Sequence, residues 1–193
     1  MTDLPEELST QLPSDPALAT AVLEIEAHAA TVGWDQQERL YALVDTARLV
    51  ASEPALAASM GLDDQAQDGS FTAIEQEELP PGQHLERVLE QIVWPPTVTG
   101  CAAVVERLVL PPEVDDDIPD DPEAAAAFAS QHPLRQEVRI VAGVTRAGAT
   151  YSALRLRAHD DELSVVDGTE LVPGLLQLLL STFDDTSLDE EHP

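Results

Sequence analysis

The chain has 193 residues, 44% of them apolar, and carries 37 acidic side chains against nine basic ones, for a net charge of −28. That apolar content supports a buried core of single-domain size. The charge argues against nucleic acid and anionic membrane surfaces, whose binding is carried by basic side chains, and it favours a basic partner or a cation.

All nine basic residues are arginine, and Cys101 is the lone cysteine, so no internal disulfide forms. The opening MTDLPEELSTQLPSDP lacks the basic and apolar regions of a signal peptide, and no apolar run reaches the length of a membrane span. The expectation is a soluble cytoplasmic protein.

Residues 1–14 read as a disordered lead. Asp15 then offers an N-cap with Pro16 in the first helical position. Leu18, Val22, Ile25, Ala29 and Val32 recur at steps of three and four, one apolar helix face, and Gly33 suits the position after the helix end. RLYALVDTARLVA (39–51) is rich in strand formers and predicts a strand. SEPALAASMG (52–61) predicts a short helix capped by Ser52 and stopped by Gly61, and 62–69 a polar loop. SFTAIEQEEL (70–79) predicts a strand near a sheet edge.

Leu85, Val88, Leu89 and Ile92 mark a further amphipathic helix, ended by Trp94-Pro95-Pro96. TVTGCAAVVERLVL (97–110) predicts the longest strand. The acidic PPEVDDDIPDDPE follows, and then an Ala-rich helix over 122–132. Residues 136–145 and 149–158 flank a tight turn at Arg146, Ala147 and Gly148, a hairpin pattern, and 163–166 adds a short strand. Asp167-Gly168-Thr169 introduces a last helix with Pro173 in its first turn, where proline is tolerated. Its apolar residues fall on nearly every side, which predicts burial against the sheet or a second subunit. Residues 184–193 read as a loose acidic tail.

These elements predict one α+β domain over 15–183, with a mainly antiparallel sheet of five or six strands and N-terminal, middle and C-terminal helices. The order helix, Trp, strand, Ala-rich helix, strand occurs twice, around Trp34 and Trp94. That suggests an internal duplication with a period of about sixty residues, longer than ordinary solenoid repeats.

WDQQERLYALVDTARLVASEPALA, GCAAVVERLVLPP, HPLRQEVRIVAGVTRAG and ALRLRAHDD together resemble a family of uncharacterised actinobacterial proteins of this size, in the same order across residues 16 to 183. The resemblance implies an actinobacterial cytoplasmic origin. It implies no activity, so it assigns no catalytic residue.

The acidic stretch suggests a calcium loop, and its spacing fails that test. Counted from Asp115, Pro119 stands at the fifth position, Asp120 where glycine is needed and Ala126 where the closing glutamate belongs. Asp115, Asp116, Asp117, Asp120 and Asp121 are instead candidates for contact with a basic partner, and no metal site is expected. His159, Asp161 and Glu162 read as ordinary turn residues. Cys101, inside a strand, reads as an inert small apolar residue. Glu75, Glu77 and Glu78 are candidates for paired-carboxylate chemistry only because the chain holds so many acids. No G-x-S-x-G, P-loop or G-x-G-x-x-G is present, so no cofactor is expected.

The arginines are more informative. Five of nine fall between 135 and 157, and strand alternation puts Arg155 and Arg157 on one face, with Arg139 within reach across the turn. They predict either a site for an anion or acidic peptide, or local charge compensation by the acidic loop. The function expected is a non-catalytic cytoplasmic interaction or chaperone-like module, a homodimer through Leu175 and Leu179 of the last helix. The alternative is an enzyme or small-anion binder using Arg139, Arg155 and Arg157. A deep arginine-lined pocket favours the alternative and an exposed apolar patch favours the module.

Overall fold

The computed structural model describes residues 13–62, 69–77, 79 and 84–184, without the side chains of Asp115 and Asp116. Most of the expected lead (1–12), Glu78 and nearly all of the expected tail (185–193) lie outside the described residues.

Helix α1 (Pro16–Val32) begins where Asp15 accepts the N–H groups of Ala17 and Leu18 at 3.0 and 3.1 Å, satisfying donors that a helix start leaves orphaned. It ends at Gly33, whose φ of +100° favours a residue without Cβ. Strand β1 (Arg39–Asp45) follows and is shorter than expected. The residues 46–51 expected as strand form α2 (Thr46–Ser52), because Asp45 accepts the N–H of Arg48 at 2.8 Å and caps a helix there. Ser52 is therefore the last residue of α2 and not the cap of the next helix, α3 (Pro54–Ser59).

Then come β2 (Phe71–Glu75), α4 (Leu85–Leu89) and β3 (Val98–Val109). The acidic stretch winds into a 3-10 turn (Pro112–Asp117) ahead of α5 (Pro122–Gln131). The hairpin is as expected, β4 (Gln136–Thr145) and β5 (Thr150–Leu156), with Gly148 at φ +91° in its turn. The short strand predicted over 163–166 begins later, as β6 (Val166–Gly168). Residues Glu162–Ser164 instead make a 3-10 turn in which Asp161 accepts the Leu163 N–H. Helix α6 is Pro173–Ser181.

The six strands form a single sheet in the order β2-β1-β3-β4-β5-β6, antiparallel throughout. Successive strand residues point to opposite faces, and both faces are covered. Tyr41, Leu43, Ala102, Val104, Val141 and Tyr151 pack under α1. Leu40, Ala42, Cys101, Ala103, Val105, Ile140 and Val144 face α4 and α6. The approach of α1 is close: a Cβ on Gly143 would lie 2.6 Å from Cγ2 of Val22. Helix α6 lies on the sheet through Leu176 and Leu179, which is fully buried, and Leu175 packs against the same core. The pair expected at a dimer interface thus points into the protein's own interior, and Leu171 and Leu178 face outward. In the strand order β2-β1-β3-β4 the two supposed repeats meet through β1 and β3, but α1 and α4 lie on opposite faces.

Candidate functional site

Arg139 on β4 and Arg155 on β5 sit directly opposite one another, and Arg157 follows two residues on. The structure therefore brings together the three arginines that the sequence grouped. Arg139 and Arg155 are 1% and 3% exposed, far too deep to remain unpaired. Glu26 of α1, itself buried, grips Arg155 with both carboxylate oxygens, at 2.6 Å from Nε and 2.8 Å from Nη2. These bonds hold the Arg155 guanidinium charged, with its pKa above the ordinary arginine range.

Arg139 donates through Nη2 to Glu106 at 3.1 Å and to the Gly33 carbonyl, and its guanidinium lies 4.3 Å from the Trp34 ring centroid. Its Nη1 is buried with no hydrogen-bond partner. Arg157 forks onto Asp35 at 2.9 Å twice and reaches Glu137 at 2.5 Å. The fork from Arg157 holds the Asp35 carboxyl below the usual aspartate range. Trp34 roofs the cluster and donates through Nε1 to Asp160 at 2.9 Å.

The neutralising acids thus come from α1, β3, β4, the turn after α1 and the turn after β5. The acidic loop supplies none of the partners named here. Asp121 is spent on capping α5, accepting the Ala124 N–H at 2.9 Å, and Asp117 and Asp120 are exposed. An incoming anion would have to displace a carboxylate at Arg155 and at Arg157, and the unpartnered Nη1 of Arg139 is buried away from solvent. The missed partners had a signal: Glu26 stands four residues after Val22 and three before Ala29, an acid on the buried stripe of α1. Glu106 is likewise the next α1-facing position on β3 after Val104.

The other polar constellations are also occupied. Glu38, His84 and Glu86 bring ligand atoms within 4.8 Å of one another. Arg107 already lies between the two carboxylates, paired to Glu38 and, at 3.1 Å, to Glu86, and so supplies the positive charge there. Asp161 accepts the Leu163 N–H and the Ser164 hydroxyl, at 3.1 and 2.7 Å, within its own turn. Glu75 faces Arg39 at 3.7 Å, and Glu77 is exposed. Cys101 is fully buried, and burial pushes its thiol up to about 12, leaving negligible thiolate at neutral pH.

On the opposite face of the sheet lies a cleft of about 520 Å³. Its floor is Ala42 and Val44 of β1 and Ile74 of β2. One wall is a single face of α2, with Asp45, Arg48, Leu49 and Ser52 spaced as helical neighbours. The other wall is the segment from Ile92 to Val98, with Val93 81% exposed at the lip. That wall is braced. Trp94 donates through Nε1 to Thr182 at 3.0 Å and stacks on Phe183, while Arg146 reaches the carbonyls of Trp94, Pro95 and Val98. Among the described residues the Arg48 guanidinium, which is exposed, has no hydrogen bond or ion pair. The cleft is assembled from segments distant in sequence, and a strand assignment over 46–51 conceals the face of α2 that forms its wall.

A family model described as PPA1309-like protein matches residues 18–184. No curated protein and no solved structure matches the chain.

Proposed function

The chain belongs to the PPA1309-like protein family, and from that premise we propose that it is a non-catalytic binding module acting in the cytoplasm through its apolar cleft. The observation that carries this is a contrast between the two faces of the sheet. The arginines of the α1 face are consumed by internal carboxylates. The opposite face leaves a cleft with an apolar floor, a braced wall and, at its rim, a guanidinium without a partner among the described residues. A concave, mainly apolar site with few polar groups is the usual form of a binding pocket. Neither a nucleophile–base pair nor a thiolate lies in it, which supports binding over catalysis.

The alternative, an enzyme or anion binder on Arg139, Arg155 and Arg157, has its geometry against it. Freeing Arg155 for a ligand strips Glu26 of its partner in a dry interior, a costly exchange. The test places a charge at the lip. Val93→Asp, at a position too exposed to disturb the core, is expected to abolish binding of an uncharged apolar fluorescent probe while leaving the urea unfolding midpoint unchanged. A folded variant that binds the probe like the parent refutes the proposal.

A further inference from the structure

We infer that the occupant of the cleft is a small amphiphile with one carboxylate: an apolar body on the floor of Ala42, Val44 and Ile74, and a head group held by Arg48 and Ser52. This assignment rests on the cleft being the binding site and adds the chemistry of what fills it.

The first ground is what the arginines do. Arg39, Arg107, Arg139, Arg155 and Arg157 form ion pairs. Arg146 is spent on backbone carbonyls and on the Phe183 ring, and Arg135 on the His132 carbonyl. Among the described residues, Arg48 and Arg87 alone make no such contact, although the chain carries 37 acids. Of these two, only Arg48 lines the cleft.

The second ground is the arrangement beside it. Asp45 shares its helix face, but that carboxylate is committed to the cap, accepting the Arg48 backbone N–H at 2.8 Å. Ser52 lies one turn further along the same wall and offers a hydroxyl donor. A guanidinium fork matches a planar carboxylate in two parallel hydrogen bonds, and both Arg48 and Ser52 are exposed at the rim, where a head group stays in water. Glu53 and the net charge of −28 weigh against a second negative charge on the ligand, so polyanions such as nucleotides are disfavoured. The cavity size suits a small molecule.

The experiment is titration calorimetry with decanoate, decanol and decyltrimethylammonium, at one ionic strength. Decanoate is expected to bind with one-to-one stoichiometry and decanol about tenfold more weakly, the worth of one charge-assisted contact. Arg48→Gln is expected to bring decanoate down to the level of decanol, Arg87→Gln to change nothing, and Val93→Asp to weaken both ligands. The assignment is overturned if nothing binds, if decanol equals decanoate, if the ammonium binds tightest, or if Arg48→Gln keeps the preference. Equal binding of all three probes that Val93→Asp abolishes leaves the cleft as the site and removes only the carboxylate. Binding indifferent to Val93→Asp removes both.

Discussion

Glu26 and Arg155 are each 3% exposed and meet at the interface between α1 and the sheet. Two charges taken out of water repay their desolvation only when both are present and well bonded. Glu26→Ala leaves Arg155 with Asp160 at 3.4 Å as its remaining partner. The expected loss is about 3 kcal/mol or more of unfolding free energy in urea. Replacing both residues by methionine is expected to recover most of it, because no uncompensated charge stays behind. A silent Glu26→Ala would show that the pair does not hold the helix to the sheet. The grouping of Arg139, Arg155 and Arg157 was legible in the sequence, because strand periodicity and one tight turn suffice to predict it. Their partners are less legible: nearness along the chain offers the acidic loop as one candidate, whereas contact in the fold selects Glu26 and Glu106 from distant elements. The second of these lies directly across the strand pair from Arg139.

Among the elements, α1, β3 and the β4–β5 hairpin were the readable ones, each having both a periodic apolar pattern and a local start or stop signal. The segment 39–51 was not. Its apolar run has the composition of a strand, but Asp45 caps a helix in the middle of it, and one side-chain bond to a backbone N–H outweighs a weak strand propensity. The seating of α1 on the sheet is testable by substitution. Gly143 leaves room for Val22 to touch the sheet, and an added Cβ would clash with a stiff, branched side chain. Gly143→Ala is expected to cost about 1–3 kcal/mol, the usual range for overpacking. In combination with Val22→Ala the loss is expected to be smaller than the sum of the single losses, measured as a double-mutant cycle. Additive losses would mean that α1 does not rest on β4 at that point.

At the scale of the whole molecule, one antiparallel sheet separates two different environments. On the α1 side the buried arginine charges are matched inside the protein. The other face is covered by α4 and α6 over its centre, and toward β1 and β2 it opens into the cleft between α2 and the braced Trp94 segment. Composition foretold the sheet and the acidic exterior. The cleft was not legible, because it depends on a register between strands and on which part of a face a helix leaves bare. The claim that ligands enter there is tested most directly by mapping amide shifts in ¹⁵N-labelled protein titrated with decanol, an uncharged probe. The expected perturbations cluster at Ala42, Val44, Leu49, Ile74 and Val98. Perturbations centred on Arg139, Arg155 and Arg157, or none at the cleft, would contradict it.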